Sequence, residues 1–163
     1  PKMNGVDDND TAVVGTAEVN STVIVKNKDK VIATGTANSK GAFKLQISRQ
    51  KAGTILTVYG KDAAGNQGKA STTVVLDRTA PNAPKITSFF ANGKNEIKGT
   101  AEANTTIIVT KGNKVVAKVK VTSKGTFVVI LPKPGKSKSE FVLSAIDKSG
   151  NKSKYVKRSI IIK

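Results

Sequence analysis

The chain has 163 residues, with 28 Lys/Arg against 11 Asp/Glu for a formal charge of +17, and it contains no Cys, His or Trp. Without cysteine there can be no disulfide or thiolate metal site, and without histidine the commonest general base and transition-metal ligand is missing. Ser–His–Asp and Cys–His constellations are thereby excluded, and no segment approaches the roughly twenty apolar residues of a membrane-spanning helix.

Apolar and polar residues alternate, β-branched residues are dense, and turn signals break the pattern every eight to twelve residues or so, the marks of short antiparallel strands. In order, strands are predicted at Lys2–Val6, Thr11–Thr16, Thr22–Lys26, Lys30–Thr36, Ala42–Ser48, Thr54–Gly60 and Ser71–Leu76. Polar turns separate them, including Asp7–Asp10 (DDND), Glu18–Ser21 (EVNS), Asn38–Gly41 (NSKG) and Asp62–Asn66 (DAAGN). Seven such strands match an immunoglobulin-like sandwich. Alternation points Val23, Val25, Phe43, Leu45, Ile47, Leu56 and Val58 inward, with Thr, Lys and Ser on the solvated face.

Asp77–Lys85 (DRTAPNAPK) then interrupts, because Pro81 and Pro84 cannot continue a central strand. Beyond it the first half is written again. GTAEVNSTVIV (Gly15–Val25) returns as GTAEANTTIIV (Gly99–Val109), and KDAAGN (Lys61–Asn66) as IDKSGN (Ile146–Asn151). The expected division is residues 1–78 for one repeat, 79–84 for a proline-stiffened linker and 85–163 for the second repeat. The second core is Ile107, Val109, Phe127, Val129, Leu131, Phe141 and Leu143. Extra residues near Asn92–Asn95 and Pro132–Ser139 fall in predicted loops. Pro1-Lys2-Met3 lines up with Pro84-Lys85-Ile86, so the chain reads as a piece of a longer one.

Charge divides the repeats. Residues 1–80 hold eleven Lys/Arg against seven Asp/Glu, and residues 81–163 hold seventeen against four. Only Arg49, Arg78 and Arg158 are arginine, so point charges dominate over planar forks. The candidate polyanion-binding residues are Lys118, Lys120, Lys124, Lys133, Lys136, Lys138, Lys154, Lys157 and Arg158. They suit diffuse attraction to polyanions such as acidic glycans, anionic headgroups or DNA, or else a face kept soluble by charge. Sequence-specific nucleic-acid recognition is not expected, because stacking aromatics and arginines are scarce. The Asp7–Asp10 cluster could bind calcium or form a polar turn; the turn is the expectation, outside the shared framework, since Ala91-Asn92-Gly93-Lys94 stands in its place.

The pattern GTAExN[ST]T, a hydrophobic strand, SKGxF, DxxGN and DxTAPxAP resembles bacterial Ig-like repeats of Gram-positive surface and secreted proteins, over essentially the whole chain. The resemblance implies two tandem β-sandwiches, an extracellular cell-surface, cell-wall or secreted location, and a role as stalk, spacer or adhesive module. It also implies a possible calcium site at the joint, with Asp62, Asn66 and Asp77 at the matching positions. Turn capping by Asp62 and Asp147, with Gly65 and Gly150 at positive φ, is the competing expectation. Some Gram-positive surface domains crosslink Glu, Lys and Asn side chains, but Glu18 with Asn20, and Glu102 with Asn104, sit in single tight turns that suit hydrogen bonding. The leading expectation is a non-catalytic spacer whose basic repeat attaches to anionic envelope polymers. The alternative is an adhesin module that binds a host protein or glycan through loops at one end.

Overall fold

The alternating segments pair as antiparallel strands in the computed structural model, which describes residues 1–91, 94–132 and 138–161. The chain divides into unit 1, Pro1–Thr79, and unit 2, Ala80–Lys163. Among the described residues each unit has seven strands. In unit 1 they are β1 (Lys2–Met3), β2 (Ala12–Thr16), β3 (Thr22–Asn27), β4 (Lys30–Thr36), β5 (Ala42–Gln46), β6 (Ile55–Lys61) and β7 (Ser71–Val74). Unit 2 has β8 (Lys85–Phe89), β9 (Glu96–Thr100), β10 (Thr106–Lys111), β11 (Lys114–Lys120), β12 (Thr126–Ile130), β13 (Ser139–Ile146) and β14 (Val156–Ile160).

Each unit is a sandwich of a three-stranded and a four-stranded sheet. Unit 1 orders them β1-β2-β5 and β4-β3-β6-β7, and unit 2 repeats this as β8-β9-β12 and β11-β10-β13-β14. The first strand is shorter than its alternation suggests, for a reason the sequence does not carry. After Asn4, whose N–H bonds the Val14 carbonyl, the chain leaves β2 for the end of the last strand. There the Leu76 N–H donates to the Val6 carbonyl at 2.9 Å, and Asp7 pairs parallel with Leu76.

All fourteen positions expected inside are buried. At roughly 1.5–3 kcal/mol for each large apolar side chain, they dominate the favourable side of folding. The core extends further than the alternation alone suggests, taking in Val6, Val13, Ala37 and Val75 in unit 1, and Ile97, Val121 and Ala145 in unit 2. Two glycines make the packing possible. A Cβ at Gly15 would run into the Phe43 ring and the Lys2 carbonyl, and one at Gly99 would meet Phe127 and Lys85 in the same way.

The extra length near Asn92–Asn95 and in Pro132–Ser139 includes residues 92–93 and 133–137, which lie outside the described residues. Just before the first of these, unit 2 gathers Phe89, Phe90 and Phe141. Phe90 stacks on Phe141 with ring centroids 5.6 Å apart, and Phe89 meets Phe90 edge-on at 4.9 Å.

Candidate functional site

The basic residues of unit 2 sit on several parts of its surface. Lys118 and Lys120 lie on β11, an edge strand, where Lys118 pairs with Ile108 and Lys120 with Thr106. Spaced two apart, they share one outward face about 7 Å from each other, while Ala117 and Val119 pack toward the core. Lys157 is on β14 at the opposite edge of the same sheet, opposite Val142. Three strand spacings, about 14 Å, separate those edges. Lys157 is also held by Glu140 at 3.4 Å and lies over the Tyr155 ring, with Nζ 5.6 Å from its centroid. Arg158, the next residue, alternates to the other face and donates from Nη1 to the Lys157 carbonyl.

Lys124 is in the turn between β11 and β12, and Lys154 lies in the connection from β13 to β14. Lys138 is exposed immediately before β13. Lys133 and Lys136 lie outside the described residues. The structure thus brings Lys118 and Lys120 together and spreads the other five described candidates over edges, turns and a second face. All seven described cations remain exposed. A lysine-bearing edge strand also resists pairing with another sheet, which accounts for part of this pattern without any ligand.

The structure places the three possible calcium ligands as follows. Asp62 Oδ1 accepts from the Asn66 N–H and Oδ2 from Asn66 Nδ2, both at 2.8 Å, closing the loop on itself. Those Asn66 bonds, side chain first and then backbone, hold the Asp62 carboxyl below its ordinary pKa. Asp77 Oδ1 accepts from the Thr79 N–H at 3.2 Å. The loop therefore offers one carboxylate, both of whose oxygens already accept from Asn66, and one amide oxygen, against the six to eight oxygens calcium takes. Lys61 and Lys69 line the same shallow groove. Among the described residues no three Asp or Glu side chains form a metal-ligating group.

The second loop has the same construction: Asp147 Oδ1 accepts from the Asn151 N–H and Oδ2 from its Nδ2, both at 2.9 Å. Burial pulls the Asp147 pKa up, but the hydrogen bonds from Asn151, Ser149 and Gly150 together outweigh it and the net shift is downward. Gly65 and Gly150 take φ of +88° and +89° in these turns. The Glu–Asn turns are built alike as well. Ser21 Oγ donates to the Glu18 carbonyl and Thr105 Oγ1 to that of Glu102, each at 2.7 Å, with Asn20 and Asn104 at positive φ.

The Asp7–Asp10 turn holds a contact the sequence reading missed. Asp8 Oδ2 accepts from Thr79 Oγ1 at 2.7 Å and Oδ1 from the Arg78 N–H at 2.9 Å. The Thr79 hydroxyl, followed by the Arg78 amide, lowers the Asp8 pKa. Asp8 thus fastens the last residues of unit 1 to its first turn. A signal for this was present, since DDND and the DRT that it grips both occur once, in the same repeat.

A sequence model of the bacterial Ig domain family matches residues 1–77 and again residues 80–159. The cell wall-associated protease of Bacillus subtilis (strain 168) is 45% identical over 76 residues, which is 46% of this chain. The match spans only 8% of that protein's own length. Among solved structures, the CD2-binding domain of CD58 aligns over 98% of this chain and 95% of its own, at 9% identity and a TM-score of 0.58. Rst D1-D2 aligns over 98% and 93%, at 15% identity and a TM-score of 0.57. At these identities the two structural likenesses establish the fold alone.

Proposed function

The chain belongs to the bacterial Ig domain family, in two consecutive copies, and on that premise we propose that it is a non-catalytic spacer segment of a cell-surface or secreted protein, held near the envelope by the cationic surface of unit 2. The cell wall-associated name of the Bacillus relative supports the location. The lack of any histidine or cysteine supports a segment without nucleophilic machinery of its own. The observation that carries the attachment is a substitution on a shared frame. Lys118 and Lys120 stand on β11 where Thr34 and Thr36 stand on β4, in the same register against the neighbouring strand. The strand scaffold is kept and its outward face is recharged. Lysines on such a face attract a polyanion without shaping a pocket for it.

The test is retention of the chain on insoluble Gram-positive cell walls. Raising salt from about 0.1 M to 1 M shortens the screening length from about 10 Å to about 3 Å, so retention is expected to collapse. The double variant Lys118→Thr, Lys120→Thr, which copies unit 1, is expected to elute at lower salt than the parent. Retention that is unchanged at 1 M salt, or unchanged in the variant, overturns the electrostatic attachment.

A further inference from the structure

A second basic feature lies in unit 1, the less charged of the two, and it is concave. Between the β3–β4 hairpin and the loop from β5 to β6 is an open groove of about 710 Å³. Asn27, Lys28 and Lys30 line it from the hairpin, and Lys51, Ala52 and Ile55 from the loop and the start of β6. Three cations face it and no carboxylate is among its lining residues. The volume is within the range of small-ligand sites.

Two observations distinguish this groove from an accidental crease between loops. First, its walls are tied together, because Asn27 Nδ2 donates to Gln50 Oε1 at 2.9 Å and Gln50 Nε2 donates on to the Ser48 carbonyl at 2.8 Å. Second, Lys28 is held at φ +52° as the first residue of a two-residue hairpin loop. Two-residue hairpin loops with positive φ at that position favour glycine there. Unit 2 has glycine there, Gly112 at φ +55°. A lysine kept in a backbone conformation that its neighbour repeat assigns to glycine is local strain of the kind found at ligand sites. Unit 2 also has Lys111 in place of Asn27, so both features belong to unit 1.

We infer that this groove is a discrete anion site, which takes a short stretch of phosphodiester-linked polyol, with phosphates on Lys28, Lys30 and Lys51 and the carbon backbone over Ala52 and Ile55. Lysine binds tetrahedral phosphate as a point charge, whereas planar carboxylates favour the arginine fork, which is absent from the groove. The half-exposed Ile55 side chain gives the polyol carbons an apolar surface. This site is independent of the lysine face of unit 2 and does not rest on it.

The test titrates the whole chain with a synthetic glycerol phosphate trimer, followed by amide NMR shifts, with a galacturonate trimer as the carboxylate comparison. Saturable one-to-one shifts are expected at 28–30 and 51–55, weaker with galacturonate. Lys28→Gly combined with Lys51→Ala removes two charge-assisted contacts and is expected to weaken binding on the order of tenfold or more. Lys28→Gly also relieves the strained φ, and an unchanged amide dispersion verifies that the variant folds. Lys118→Thr with Lys120→Thr is expected to leave this titration unchanged, which separates it from wall retention. Equal binding by the groove variant, equal binding of galacturonate, or shifts confined to unit 2 would each overturn the site.

Discussion

Units 1 and 2 share a strand frame, and besides the longer loops of unit 2 they differ at three described places around it. The inward rows match in kind, from Val23/Ile107 and Val25/Val109 to Phe43/Phe127, and the close approach over Gly15 recurs over Gly99. At the first turn the units part. Unit 1 has the Asp7–Asp10 turn, with Asp8 bonded to Arg78 and Thr79, whereas unit 2 brings Phe89 and Phe90, just before its corresponding turn, against Phe141. The outer edge strand changes from Thr34 and Thr36 to Lys118 and Lys120, and the adjoining hairpin from Lys28 to Gly112. The lesson is physical. Interdigitated side chains constrain one another, so the core varies only within apolar volume, while turns and edge faces vary freely in charge. The differences that could carry function are therefore on the outside.

The largest effect that can test this contrast is in the cores. Phe141→Ala removes the ring on which Phe90 stacks and is expected to cost about 3–5 kcal/mol. Leu56→Ala, its counterpart in unit 1, is expected to cost about 2–5 kcal/mol without the added loss of aromatic contacts. Urea unfolding monitored by amide exchange separately in each unit measures both. If Phe141→Ala costs no more than Leu56→Ala, the aromatic cluster does not set unit 2 apart.

A smaller and symmetric effect is expected at the glycines. Gly15→Ala and Gly99→Ala each force a methyl against an aromatic ring and a strand carbonyl, at about 1–3 kcal/mol. The two losses should be similar, and a large inequality would show that the frames are less alike than their contacts indicate.

The smallest effect, and the most local, concerns Asp8. Its pKa is lowered in the folded state by Thr79 and Arg78, so its contribution is present above the ordinary carboxylate value of about 3.9. It is lost as pH falls through the lower folded value. A lower protection factor of the Arg78 amide, relative to its intrinsic exchange rate, is therefore expected once pH falls below that folded value, which lies under the ordinary one. Asp8→Asn should give faster exchange at neutral pH and remove that pH step. A step that persists in Asp8→Asn would assign it to another carboxylate.

Much of this molecule was legible from its residues, and the reason is locality. Strand alternation has a period of two, so Val23 and Val25 or Phe127 and Val129 declare their face without knowledge of any partner. Turn chemistry is as local, and the Asp62–Asn66 loop closes within five residues. Charge asymmetry could be counted directly, although counting did not show that, of the seven described candidates, Lys118 and Lys120 stand side by side on one strand face.

By itself, then, the sequence determined two copies of a seven-stranded unit, the fourteen alternating positions at the centre of their cores and the recharging of the second copy. The tertiary structure decided that the first strand crosses to the last one, that Asp8 meets residues seventy and seventy-one positions away, and that Lys28, Lys30 and Lys51 share one groove. Those features arise where distant segments meet at the end of a sandwich, and no local period records which loops will be neighbours there.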